Sequence, residues 1–193
     1  MVLLRSAGSL ATAADLAART DEHASEIIGG EIVEKAAPSP EHGSAQFALS
    51  GLLFSPFGSN GGAGGGAATW RLMCEVEVEY ESHEVYRHDH VGFRRPRCPE
   101  RPSTRPVSIR PDWVCEILSP SNASNDTVRK LRTLHRAAVP HYWLVDPERL
   151  TLTVLRWTPD GYLEALAATV DETVRAEPFE AIELNLADVF GRT

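Results

Sequence analysis

The segment VSIRPDWVCEILS, residues 107–119, constrains this chain more than any other. β-Branched and aromatic residues crowd it and turn residues bound it, so it predicts a strand. Side chains alternate along a strand, which puts Asp112, Val114, Glu116 and Leu118 on one face and Trp113, Cys115 and Ile117 on the other. Glu116 then sits in an apolar strand interior. A carboxylate desolvated there alone costs several kcal/mol, so it must be paired, hydrogen-bonded or bound to a metal ion. An arginine partner satisfies that demand as well as a metal does.

The segments around this strand predict an α/β (α+β) domain. TAADLAAR (12–19) reads as a short amphipathic helix with Thr12 as N-cap. EIIGGEIVEK reads as a hairpin, with Glu26 to Ile28 and Glu31 to Lys35 flanking the Gly29-Gly30 turn. SAQFALSGLL places Phe47, Leu49, Leu52 and Leu53 at helical spacing, and the Gly-rich stretch 58–68 is a loop without a phosphate-binding signature. WRLMCEVEVEYE (70–81) alternates Cys74, Val76, Val78 and Tyr80 against Glu75, Glu77, Glu79 and Glu81, and VYRHDHVGFR (85–94) follows as a second strand on which His88 and His90 share a face. Ser121-Asn122 and Ser124 to Asp126 supply turn and N-cap chemistry for a helix that ends before Pro140, and HYWLVDP, TLTVLRW and YLEALAATV complete the strands. Helices and strands interleaved in this order point to a mixed sheet with helices on its faces. Residues 1–22 are expected to form an N-terminal helix or arm and 23–193 a single domain.

Composition narrows the functions. No apolar run approaches the roughly 20 residues of a membrane span, and the amino terminus is a poor secretory signal, so a cytoplasmic protein is expected. Cys74, Cys98 and Cys115 lack C-x-x-C spacing, which argues against a zinc knuckle or a disulfide framework. The net charge of -8 argues against non-specific coating of nucleic acid. The charge is uneven, however: between Arg87 and Arg110 seven arginines face only Asp89 and Glu100. Either a phosphate-facing loop or a solvated, Pro-rich connector fits that run, and Arg94, Arg95 and Arg97 are its candidates for nucleic-acid contact.

Asp89 changes the reading of Glu116. Strands side by side can bring both carboxylates to one hard cation, with retained waters, as Mg²⁺ prefers. On the following helix Val128, Leu131, His135 and Ala138 predict the buried stripe, and Lys130 lies one position off it, at a margin from which its ammonium reaches the acids. Two acids and a lysine divide the labour of phosphodiester hydrolysis: the acids hold Mg²⁺ and the lysine orients water or offsets developing charge.

The run PDWVCEILSPSN, DTVRKL and AAVPHYWLVDPE (111–148) resembles the Uma-type restriction endonucleases of the PD-(D/E)XK nuclease superfamily, and EIIGGEIVEKAAPSPEHG and AEPFEAIELNLADVF extend the resemblance more weakly. It implies a restriction-endonuclease-like core, Mg²⁺ or Mn²⁺ at Asp89 and Glu116, and hydrolysis of DNA. Asp89 matches the family's first acid, with His88 in place of its proline, and Glu116 matches the strand acid. Leu118 stands where the superfamily has its lysine, which Lys130 matches from the helix. Glu31 and Asp126 match outer acids, although a solvated hairpin and an N-cap explain them equally. Leu134 and Ala138 replace the family's frequent Tyr and Gly. The expected partners are DNA and, because two strand cuts need two sites, a second copy in a homodimer. The alternative is a catalytically degenerate module that binds DNA or protein.

Overall fold

The computed structural model describes residues 9–19, 24–59, 69–120 and 123–192. The Gly-Gly hairpin forms. β1 (Ser25–Ile28) pairs antiparallel with β2 (Glu31–Glu34), and Gly29 and Gly30 take φ of 62° and 77°, the left-handed conformation that this turn demands. α1 (Ala13–Ala17) starts behind Thr12, whose backbone N–H donates to Asp15 at 2.9 Å, and Ala11 and Leu16 bury against Ile27 and Val85. The described part of the arm is therefore packed onto the sheet. α2 (Pro40–Leu53) is capped by Ser39, carries proline in its first turn and runs into a π-helical turn, Phe54–Gly58. Positions 60–68 of the glycine stretch and the Ser121-Asn122 turn lie outside the described residues.

β3 (Trp70–Glu81) and β4 (Glu84–Arg94) make a long hairpin, followed by β5 (Trp113–Ile117). β5 is shorter than the segment 107–119 predicts, because the backbone of Val107 bonds Glu77 and Glu79 on the outer edge of β3 instead. A π-helical turn, Asn125–Lys130, leads into α3 (Leu131–Arg136). β6 (His141–Asp146), β7 (Thr151–Thr158) and β8 (Gly161–Thr169) follow, and β9 (Thr173–Val174), β10 (Leu184–Asn185) and α4 (Leu186–Val189) close the chain.

The sheet order is β2-β1-β4-β5-β6-β7-β8, with β3 on the other edge of β4. Among the described strands only β5 and β6 run parallel, joined by the α3 segment as a crossover. On one face Trp113, Cys115, Trp143 and Val145 pack on Ala45, Leu49 and Leu53 of α2. On the other Val114 and Tyr142 pack on Leu134 and Val139. The architecture is the expected α/β one, a mixed and mostly antiparallel sheet between helices.

Two local patterns differ from expectation. Glu75 takes φ 55° inside β3, opposite Asp89 of β4, and the period of two breaks there on both strands. Cys74 consequently points at α2, with its Sγ 3.4 Å from Ser50 Oγ, while Val76, Val78 and Tyr80 join the opposite core. His88 and His90 do not share a face: His88 meets Tyr80 and Glu116, and His90 meets Ser50 of α2. The helical stripe is also displaced. Val128 is 43% exposed, and the buried face runs through Asp126, Lys130, Thr133 and Leu134, because the π-helical turn rotates the segment onto the sheet through its ion-paired residues rather than its apolar ones.

Candidate active site

β1 and β5 pair with the same edge of β4 but at different places, Ile27 opposite Val85 and Cys115 opposite His90. Between these points the ladder opens into a fork. Backbone groups left there without a strand partner must be satisfied otherwise, and buried side chains do so. Arg87 N–H donates to Glu26 Oε1 (2.8 Å), Arg87 C=O accepts from Lys35 Nζ (2.8 Å) and Ile117 N–H donates to Asp89 Oδ2 (2.7 Å). The same side chains line a polar cleft with Glu116, Asp126, Lys130 and His42.

The structure thus brings Asp89, Glu116 and Lys130 to one cleft, all at most 1% exposed. Lys130 Nζ is 3.2 Å from Glu116, 2.8 Å from Glu26 and 2.9 Å from Asp126. The lysine on Asp89 is a different one, Lys35, at 2.6 Å from Oδ1, with His42 Nε2 at 3.5 Å from the same oxygen. Asp126 is buried and ion-paired rather than an N-cap. Glu31 lies outside the cleft on the hairpin surface, paired with Arg129 at 3.6 Å, because residue 31 faces away from β4 once β1 supplies the pairing edge; Glu26 occupies the outer position instead.

Burial pushes Glu116 up to about 7, against the pull of Lys130 and Lys35. Burial likewise raises Asp126 to about 7, against Lys130. Asp89 is buried too, but the hydrogen bond from His42 and the charge of Lys35 outweigh desolvation and hold it well below the usual carboxylate range. His88 is pushed down to about 3 by burial and by Lys130, so its contact with Glu116 at 2.5 Å is a hydrogen bond from a neutral ring rather than an ion pair. Four carboxylates, Glu26, Asp89, Glu116 and Asp126, and two lysines, Lys35 and Lys130, line the cleft.

The open space in the cleft is about 20 Å³, where a single water needs roughly 10–15 Å³. Among the described residues no three His, Cys, Asp or Glu side chains form a ready cation cage.

The arginines of the loop after β4 are engaged with the protein. Arg95 donates to the carbonyls of Trp70 and Gly58, and Arg97 pairs with Asp112 at 2.9 Å and reaches the Arg110 carbonyl. Arg94 is exposed, its guanidinium 4.6 Å over the Trp70 ring. Five residues of strand separate it from Asp89, about 17 Å.

Lys35, Glu26 and His42 escaped the sequence reading. Each belongs to a segment whose local pattern is complete without it, and only the pairing of β1 with β4, 50 or more residues away, gives it a role. The one available signal is Glu26, an acid opening the apolar run before the Gly-Gly turn.

The family described as "Putative restriction endonuclease" (Uma2) matches residues 11–187. Among solved structures, a "putative nuclease belonging to DUF820" from Anabaena variabilis superposes with a TM-score of 0.74 at 24% identity, covering 94% of this chain and 98% of that one. That likeness concerns the fold. No curated protein matches the chain. Among the described residues no helix is long and apolar enough to cross a membrane.

Proposed function

The chain belongs to the Uma2 restriction-endonuclease family, and on that premise we propose that it is a divalent-metal-dependent endonuclease that hydrolyses DNA phosphodiester bonds. The observation that carries the proposal is the convergence of Asp89 and Glu116 in the fork between β1 and β5. Asp89 and Glu116 would hold Mg²⁺, or Mn²⁺ in its place. When bound, the cation supplies charge for the phosphate oxygen and acidifies a coordinated water.

The chain's own groups divide the remaining work. Lys130 is enclosed by three carboxylates and holds them in place; desolvation opposes its charge, but Glu116, Glu26 and Asp126 raise its pKa well above the ordinary value. Lys35, with its side chain 14% exposed, stands nearer the mouth of the cleft. It is the better placed of the two to meet a phosphate, and moving from Asp89 to that phosphate would free the carboxylate for the cation. Arg94 is the most available of the three loop arginines for the DNA backbone, since Arg95 and Arg97 would first give up bonds to the protein.

Plasmid and single-stranded DNA incubated with the protein in Mg²⁺, Mn²⁺ or EDTA test the reading. Cleavage that needs the cation and disappears in Asp89→Asn and Glu116→Gln is the expected result. The Lys35–Asp89 pair at 2.6 Å favours a second reading, a degenerate nuclease fold that binds DNA or protein with its cation site closed by a lysine. DNA retention without cleavage, unaffected by EDTA, would establish that reading in place of the first.

A further inference from the structure

Behind Glu116, on the side away from Lys35, lies a chain of buried polar groups that the cation site does not itself require. Glu116 Oε1 is 2.5 Å from His88 Nδ1, and His88 Nε2 is 2.8 Å from Tyr80 Oη. His88 is 0% and Glu116 1% exposed. Tyr80 and Tyr86 meet the imidazole edge-on, with ring centroids 5.7 and 6.0 Å away, and fix its plane.

The proton positions follow from the partners. Oε1 also accepts from the Lys130 ammonium at 3.2 Å, so it acts as an acceptor and Nδ1 must carry the hydrogen. Nε2 is then the bare nitrogen, and the Tyr80 hydroxyl donates to it. A phenol oxygen can accept as well as donate, so it is Glu116 that sets the tautomer, and Tyr80 completes the relay by donating to the bare Nε2.

We propose that Tyr80 and His88 are positioning residues: the relay Tyr80 O–H to His88 Nε2, His88 Nδ1–H to Glu116 Oε1, locks the Glu116 carboxylate so that a divalent cation in the cleft meets its second oxygen in a fixed orientation. This rests on the cation-site reading given above. The geometry that permits it is the break of alternation at Glu75 and Asp89, which turns His88 to the Glu116 face while His90 turns to α2. Outer partners of metal ligands typically change affinity by about 10–100-fold when removed, because they fix the ligand's orientation before the metal arrives.

Two measurements test it. In the metal-free protein, ¹⁵N-edited imidazole spectra are expected to show His88 as the neutral Nδ1–H tautomer, in the parent and in Tyr80→Phe alike. An Nε2–H tautomer in the parent protein would overturn the relay whatever the metal does. In calorimetric titration with Mn²⁺, His88→Phe is expected to bind about 10-fold or more weakly, and His88→Asn, whose amide can replace Nδ1–H, to recover most of the loss. Tyr80→Phe keeps ring and packing and is expected to lose several-fold, with its thermal midpoint near the parent's. Parental Mn²⁺ affinity in His88→Phe, where Glu116→Gln has lost binding, would overturn the positioning role and leave the cation site standing. Equal Mn²⁺ binding by the parent and Glu116→Gln would overturn both.

Discussion

The two halves of the sheet solve one problem in opposite ways. From β5 to β7 the ladder is continuous: Trp113 to Ile117 pair in register with His141 to Val145, and His141 to Asp146 with Arg156 to Thr151. Backbone satisfies backbone, and apart from Glu116 the buried side chains are mainly hydrophobic, among them Trp113, Trp143, Val145 and Val154. At the fork between β1 and β5 the ladder stops, and Glu26, Lys35 and Asp89 satisfy the backbone in its place. The packing of the first half is carried mainly by apolar contact. The second depends on charge balance, and removing one member leaves the others desolvated without compensation.

The largest contrast is expected in activity. Asp89→Asn and Glu116→Gln should each lower cation-dependent DNA cleavage by about a thousandfold or more while keeping a parental circular-dichroism spectrum. Trp143→Ala, in the continuous half, should lose roughly 3–5 kcal/mol in urea denaturation yet cleave like the parent wherever it remains folded. Cleavage unaffected by the first pair, or abolished by the tryptophan change in folded protein, would erase the distinction.

Lys130→Met separates the halves by pH. Breaking a buried pair costs about 3–5 kcal/mol, and the cost should shrink on acidification. Glu116 and Asp126 already titrate near 7, above their unfolded values, so their protonated forms stabilise the fold fully below the unfolded pKa and lose that contribution as pH rises through about 7. The variant's deficit relative to the parent should therefore be smaller at pH 5 than at pH 8, whereas the deficit of Trp143→Ala should not change. A pH-independent deficit in Lys130→Met would show that its loss is packing alone.

Arg97→Ala should cost about 1.5–3 kcal/mol, the range for a hydrogen bond to a charged group, because it releases Asp112 and the Arg110 carbonyl. Denaturation reads the stability, and the salt dependence of DNA binding reads any phosphate contact: a slope shallower by about one unit would assign the side chain to DNA. The smallest effect should come from Ala138→Gly. Ala138 follows the end of α3 at φ 53°, so glycine there should raise stability by about 1 kcal/mol. A loss in that variant would mean that the Ala138 methyl group contributes packing outweighing the backbone strain.

Much of this protein was legible before its structure. The Gly-Gly hairpin, the helical character of 44–53, the strands β6, β7 and β8 and the isolation of Glu116 all follow from turn chemistry and periodicity, which act over a few residues, although the helix begins a turn earlier, at Pro40. Lys130 could be singled out because Leu118 leaves the strand acid without a lysine, and it does reach Glu116, although it is fully buried rather than at a margin.

The remainder needed the tertiary structure. That β1 and β5 share one edge of β4 is a fact of pairing between residues 58 and 25 positions apart, Ile27 with Val85 and His90 with Cys115, and no local pattern encodes where a ladder stops. That opening recruits Lys35 and Glu26 and leaves Glu31 on the surface. The positive φ of Glu75 shifts the alternation on β3 and β4 together, so His88 and His90 part although their spacing says they coincide. Sequence determines which face a residue takes only while the period of two is unbroken; a single left-handed residue inverts the assignment, and the contacts that hold it there come from the whole sheet.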